Sequence, residues 1–404
     1  MDQIFIDKKD IIQNIDKKKI IFFGAGNICN KTIKEFANYQ NKFSCILDNA
    51  KLTHSTEQGG LAINDPNFIK NKNDEYYIII TSTSFNEISD QLKSIGFLPI
   101  KNYCVSPILK DLKIIQDLEL NEFSILFSSG APKKKENIEG GGVYQIDYCK
   151  GEWDLKKKFS GHSYGMLKQD DTLILNDSNE GIIRLDKNFK IVQKGDIPKG
   201  YRAHGIAYSE EKKNYFVVCS MRDSILELDE NFKIIDEFFV SEKFKRTNFP
   251  HHHINDCFIK GSSLYLSMFS LSGNWKEEVF DGCIVEVDIN EKKNFVPVVT
   301  NLWMPHNIKI FSNNLTYLES LPGYLKSSNN KIIGEFPAFT RGLDYDENFY
   351  YIGQSRNRNH SKNIGINYNT SIDSGIIMFD PLTKLSKFIQ VSHKITEIHT
   401  VLKI

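Results

Sequence analysis

Gly181-Ile-Ile-Arg-Leu-Asp186, Ser224-Ile-Leu-Glu-Leu-Asp229 and Cys283-Ile-Val-Glu-Val-Asp288 are one short phrase written three times, an apolar strand closing on aspartate. Gly142-Val-Tyr-Gln-Ile-Asp147 precedes them and Gly375-Ile-Ile-Met-Phe-Asp380 follows. The closing aspartates stand 39, 43, 59 and 92 residues apart, and the last interval is two periods of 46 with a degenerate copy at Tyr324-Leu-Lys326 inside it. Self-similar short strands at about 40–50 residues are the pattern of β-propeller blades.

Each phrase has partners. Around Ser224–Asp229 the chain offers Ala203-His-Gly-Ile-Ala-Tyr208 as an inner strand, Asn214-Tyr-Phe-Val-Val-Cys219 as a second and Lys233-Ile-Ile-Asp-Glu-Phe238 as a fourth. Alternating apolar and aromatic residues suit strands packed on both faces. The two ends of this region are incomplete. Ser124-Ile-Leu-Phe127 reads as a second strand with no inner strand before it, and Ile395-Thr-Glu-Ile-His-Thr-Val401 as an inner strand with nothing after it. Joined, they make one blade, so the sequence predicts an all-β six-bladed propeller closed by its N- and C-terminal strands, over residues 120–404. Closure of this kind leaves no open sheet edge. The aspartates themselves read as turn-makers.

Residues 1–115 read differently. Lys19-Ile-Ile-Phe-Phe23 is a buried-strand run followed at once by Gly24-Ala-Gly26-Asn27, then a helical pattern through Ile33, Phe36 and Ala37. Phe43-Ser-Cys-Ile-Leu47 ends on Asp48, and Tyr76-Tyr-Ile-Ile-Ile80 precedes a helix through Ile88, Leu92 and Ile95. Strand, glycine turn, helix, strand, acid is the order of a nucleotide-binding βαβ unit, a small Rossmann-like parallel sheet of three or four strands. Gly24 permits the tight turn, Gly26 and Asn27 open a helix N-terminus to phosphate, and Asp48 is placed for ribose hydroxyls. Cys29 occupies the third glycine position, and the segment is half of a full dinucleotide fold. A mononucleotide or nucleotide-sugar site fits better than hydride transfer with NAD, against the alternative of a degenerate module used for docking.

This first segment resembles the small Rossmann-like domains fused to bacterial sugar-modifying enzymes, including sialic-acid-type sugar acetyltransferases. The resemblance covers residues 17–106 and rests on Phe22-Phe-Gly-Ala-Gly-Asn27, Ile46-Leu-Asp-Asn49 and Tyr77-Ile-Ile-Ile-Thr-Ser82. It implies a role in surface-glycan metabolism.

Inner strands of a propeller begin at the mouth of its central channel. Those positions here carry His162, Arg202-Ala-His204, His251-His-His253, Met304-Pro-His306, Thr340-Arg341-Gly342 and Glu397-Ile-His399. Seven of the ten histidines fall at them. Three readings of this hub stay open. His204, His253, His306 and His399 form a divalent-metal set, with Glu397, Glu319 or water completing the shell. Alternatively, His204, His253 and His306 with Arg202 and Arg341 form a cationic cup for an acidic sugar or similar anion, the imidazoles serving as catalytic acid–base groups. The third reading is a polar, self-satisfied channel. In the run of three histidines, strand alternation turns His252 away from its neighbours. The basic loop Gln354-Ser-Arg356-Asn-Arg358-Asn-His360 either caps the channel or is solvated, and Lys133-Lys-Lys135 belongs to an exposed connection.

The propeller region, residues 122–404, resembles a bacterial propeller domain of unknown function. The resemblance is carried by His252-His-Ile-Asn-Asp256, Trp303-Met-Pro-His306-Asn307, Phe339-Thr-Arg341-Gly-Leu343-Asp344 and Ser374-Gly-Ile-Ile-Met-Phe-Asp380. It implies Met-Pro-His and Arg-Gly-Leu at inner-strand starts and no established reaction.

Bulk properties set the remaining expectations. Lys plus Arg and Asp plus Glu number 51 each, so no global field favours nucleic acid or a membrane surface. Seven cysteines without a Cys-x-x-Cys pair read as reduced structural thiols. No stretch has the length or apolarity of a signal peptide or membrane span, and the abundance of Lys, Asn, Ile and Phe is that of an AT-rich bacterial genome. The expectation is a cytoplasmic bacterial protein with a small-molecule ligand. Its rival is a non-catalytic scaffold whose rim binds protein.

Overall fold

Alternation along Lys19–Phe23 sends its side chains into two separate cores. Ile21 and Phe23 join Cys45, Leu47, Ile78 and Ile80 on one face, while Ile20 and Phe22 join Ile46, Tyr77 and Ile79 on the other. A strand buried on both sides must be apolar throughout, which is why this run carries no polar alternation. The computed structural model describes residues 4–15, 17–50, 56–130, 140–358 and 369–404. It separates into two compact units, Met1–Leu120 and Asn121–Ile404.

The first unit has one sheet in the order Glu57–Gln58, Leu61–Asn64, Phe43–Leu47, Lys19–Phe23, Tyr76–Ile80, Tyr103–Val105. All neighbours run parallel except the first pair. The helix Asn27–Glu35 covers one face through Cys29 and Ile33, and Phe85–Ser94 covers the other through Phe85, Ile88 and Leu92. The sheet has six strands where the sequence suggested three or four. The additional ones are two to four residues long, too short to show a period.

The second unit is a six-bladed β-propeller. Five four-stranded antiparallel sheets follow one another in chain order, with first strands Ser163–Gln169, Ala203–Ser209, Ile254–Lys260, Pro305–Phe311 and Phe339–Tyr345. A sixth has the order Val401–Lys403, Glu122–Ser129, Gly142–Cys149, Glu152–Phe159, with Val401 opposite Phe127 and Lys403 opposite Ile125. The C-terminal strand begins at Val401 rather than Ile395. Ahead of it only His399 N–H to Ser128 O and Ser128 N–H to Thr400 O continue the pairing. We number these blades 1 to 6.

The repeated phrase lies on the third strand of each blade, and the degenerate copy is the strand Tyr324–Ser327 of blade 4. Most of its aspartates fold the turn to the fourth strand. Asp186 accepts from the backbone N–H of Asn188 and Lys190, Asp229 from Asn231 and Lys233, and Asp288 from Asn290 and Glu291. Asp147 instead accepts from the side chains of Ser124 and Gln145. Lys133-Lys-Lys135 lies outside the described residues. All seven cysteines are free thiols, and only Cys149 is exposed. Among the described residues no helix is long and apolar enough to cross a membrane.

Candidate functional site

Every first strand of blades 1 to 5 is irregular at the same place. Register breaks between Ser163 and Met166, Ala203 and Ile206, Ile254 and Asp256, His306 and Lys309, and Thr340 and Leu343. A bulge re-aims side chains, and at these bulges sit Tyr164, His204, Asn255, His306 and Arg341, with His399 at the matching position of blade 6. The hub is crowded behind them. A Cβ on Gly165 would overlap the His204 carbonyl oxygen, and one on Gly205 would press on Asp256.

The Tyr164 ring packs against His204 at 4.7 Å and His399 at 4.6 Å, and His204, His306, Arg341 and His399 meet at a cavity of about 390 Å³. Its wall contains His204, His253, His306, His399, Arg202 and Arg341, which sequence reading placed together. Asn255 bonds away from it, donating to Pro305 O and accepting from Ser267. His253, two residues earlier and in the left-handed region at φ 52°, takes its place. Asp223 fixes that unusual backbone by accepting from the N–H groups of His251, His252 and His253. The His252 ring is turned elsewhere, its Nδ1 donating to Ser270 O at 2.9 Å. His162 and His251 do not line the cavity.

The hydrogen bonds assign the proton on His306. Its Nδ1 lies 2.7 Å from Ser320 Oγ and 3.0 Å from Met304 O, while Ser320 Oγ donates its one proton to Thr340 O at 2.6 Å. Both neighbours of Nδ1 therefore accept, so Nδ1 carries the hydrogen and Nε2 is a lone-pair acceptor. His399 is the opposite tautomer. Its Nδ1 faces Arg341 Nη1 at 3.4 Å, a donor only, which leaves the hydrogen on Nε2, 3.2 Å from Glu397 Oε2.

Burial keeps the ring nitrogens uncharged. The His204 and His306 rings are held well below the usual histidine range by desolvation, with Arg202 and Arg341 respectively adding repulsion. His253 is lowered to about 3 by burial and Arg202, and His399 to about 4 by burial that outweighs Glu397. The fixed charge comes from cations. Arg341 is buried and lowered to about 10 by desolvation, which Glu397 opposes. Burial alone would raise the Glu397 carboxyl, but His399, Arg341 and Arg358 together hold it well below the carboxylate range. Glu397 meets Arg341 at 3.4 Å and Arg358 at 2.7 Å.

Several buried polar atoms here have no hydrogen-bond partner: His204 Nε2, His253 Nδ1, Arg341 Nε and Trp275 Nε1. Native interiors rarely leave such groups unmet, so each calls for a partner such as an ordered water, an ion or a ligand atom.

Among the described residues, no group of three or more His, Cys, Asp or Glu side chains is disposed to hold a metal ion. The set His204, His253, His306 and His399 therefore lacks a donor geometry. His204 lies 5.9 and 6.4 Å, ring to ring, from His399 and His253, and the His253 ring packs at 4.4 Å on both Phe269 and Trp275. Glu319, the suggested completing ligand, is ion-paired with Lys326.

Sequence reading placed Met304 at the channel mouth but missed the aromatic part of the wall, Phe269, Trp275, Phe280 and Phe339, together with Lys276 and Glu278. Most belong to the connection between the second and third strands of blade 3, outside any repeat. The signal was length, since the interval of 59 residues ending at Asp288 exceeds the 39 and 43 before it. Arg358, from the basic loop, is on the wall as well, and His360 lies outside the described residues.

In the first unit, Gly24 has φ 116°, and a Cβ there would press on Ser82 and the Thr81 backbone. Asp48 Oδ2 accepts from Ala25 N–H at 2.6 Å and Oδ1 from Ala50 N–H at 2.8 Å. Gly26 is extended, with open space where a Cβ would stand, and Asn27 is the first residue of its helix.

Residues 188–404 match the family model for a domain of unknown function, DUF4915. The chain belongs to that family. Residues 16–101 match a second model, "C2185-like, N-terminal". No curated protein matches this DUF4915 member. Solved structures similar to it include a nidogen/laminin complex, at 12% identity over 70% of this chain and 98% of that one with a TM-score of 0.48. A streptogramin B lyase matches at 12% identity over 70% and 92%, TM-score 0.42. A putative 6-phosphogluconolactonase from Bacteroides uniformis matches at 10% over 70% and 99%, TM-score 0.38. Likenesses this distant carry nothing to the DUF4915 hub.

Proposed function

We propose that the propeller cavity binds the carboxylate or phosphate of a small acidic molecule. The observation that carries this reading is the convergence of Arg202, Lys276, Arg341 and Arg358 on a cavity whose four histidines are neutral. Glu397 is shared between Arg341 and Arg358, and among the described lining residues Glu278 is the one carboxylate, so cations exceed anions at the described wall. A planar guanidinium beside buried N–H donors suits a two-oxygen anion. Arg341 is the principal anchor, His204 and His253 supply hydrogen bonds, and His306 Nε2 is a group able to take a proton from a bound ligand.

The first unit is read as a Rossmann-like module for a nucleotide or nucleotide-sugar, residues 1–115, supported by the Gly24 turn and the Asp48–Ala25 bond. Residues 120–404 are read as the ligand-binding domain, closed where Val401–Lys403 pairs with Glu122–Ser129. A role in cytoplasmic glycan metabolism rests on the resemblance of the first unit alone.

Titration calorimetry with inorganic phosphate, glucuronate and aryl phosphates tests the cup. Heat of binding is expected for the wild type and its loss in Arg341→Met. Identical, featureless titrations for both proteins would refute the anion reading and leave the propeller as a scaffold.

A further inference from the structure

The cavity wall is divided in composition. Phe269, Met304 and Phe339 belong to one buried apolar cluster against which Trp275 and Phe280 also pack. The cations and the unpartnered imidazole nitrogens occupy the rest. The two regions join at Arg341, whose guanidinium lies 4.8 Å from the Phe339 ring centre, and at His253, packed between Phe269 and Trp275. A ligand filling such a space meets charge at one part of its body and flat apolar surface at another.

Resting on the anion reading above, we infer that the ligand is an aryl anion: a carboxylate or phosphate joined to a flat aromatic body that lies against Trp275, Phe269 and Phe339. Desolvation decides between this and an acidic sugar. The phenylalanines and Met304 offer no hydrogen-bonding group, so sugar hydroxyls placed there would lose water without replacement. An aromatic ring loses nothing of the kind and gains ring contacts in return. A cavity of 390 Å³ is within the range of small-ligand sites.

Two matched pairs of probes test this on the full-length chain by calorimetry: 4-nitrophenyl phosphate against glucose 1-phosphate, and 4-nitrobenzoate against glucuronate. The aryl member of each pair is expected to bind at least tenfold more tightly. Trp275→Ala should remove most of that preference, while Trp275→Phe, which keeps a ring, retains it within about threefold. If glucose 1-phosphate or glucuronate binds as well as its aryl partner and Trp275→Ala changes neither, the aryl inference fails and the anion cup stands. If none of the four binds, and Arg341→Met matches the wild type, the cup itself fails and the inference with it.

Discussion

Arg341 and Glu397 come from adjacent blades, 56 residues apart in sequence, and meet at 3.4 Å with both side chains buried. Neither charge is tolerable there alone. The pair is shared with Arg358 on one side and His399 on the other, so it fixes the cationic side of the cavity while cancelling part of its charge.

Breaking this pair from one side is therefore expected to be worse than removing it. Arg341→Met should cost about 2–4 kcal/mol, since Glu397 is left buried with Arg358 as its remaining cation. The double variant Arg341→Met/Glu397→Met should recover at least half of that loss. Urea denaturation of the three proteins measures both, and simple additivity would show that the two side chains do not interact.

The hub histidines make stability depend on acid. Each has a folded pKa below its unfolded value near 6.5, so the unfolded chain binds more protons as pH falls. Their contribution is complete above pH 6.5 and is lost progressively below it, through about 4 and 3 for His399 and His253. Melting temperature should fall steadily from pH 7 to pH 4.5, and His253→Gln should flatten that slope. A flat profile in the wild type would contradict neutral, buried imidazoles.

Asp256 has the opposite sign. Burial raises its carboxyl to about 6, against which its bond from Ile308 N–H and the charge of Lys309 act only in part. A raised acid destabilises the fold above its own pKa, where it must ionise while buried. Asp256→Asn, which keeps an oxygen for Ile308, should therefore stabilise by roughly 1–2 kcal/mol at pH 7.5. The gain should vanish by pH 4, and thermal melts at the two pH values show whether it does.

Two glycines should respond in contrary ways to alanine. Gly165→Ala forces a methyl group against the His204 carbonyl, for an expected loss of about 3 kcal/mol or more, or a fall of roughly 6–12 °C in melting temperature. Gly26→Ala meets nothing within 4 Å and has no left-handed φ, so stability should be unchanged. Equal responses would mean that the hub is looser than its contacts imply.

The blades were legible because a strand buried on both faces must repeat a pattern, and five intact third strands wrote it openly. His204, His306, Arg341 and His399 were legible for the same reason: the repeat gave them one address. What regular spacing could not reveal was the aromatic wall. Trp275 and Phe280 sit in a connection with no period, and their packing against Phe339, more than 50 residues away, is a tertiary fact. The proton on His306 was equally hidden, because it depends on where the hydroxyl of Ser320 points. The first unit hid its short edge strands, which have too few residues to alternate.

The bulge that recurs in the first strands of blades 1 to 5 has an evolutionary consequence. In four of those blades it turns one residue toward the hub at the break in pairing, while Asn255, at the bulge of blade 3, is spent on Pro305 and Ser267. A descendant of this chain can exchange His204 or His306, altering what is recognised while the strand that carries each keeps its place in the ring. The hub is thus a set of positions on one recurring backbone, its present mixture of imidazole and guanidinium is one setting of them, and Arg341 is the least free because Glu397 depends on it.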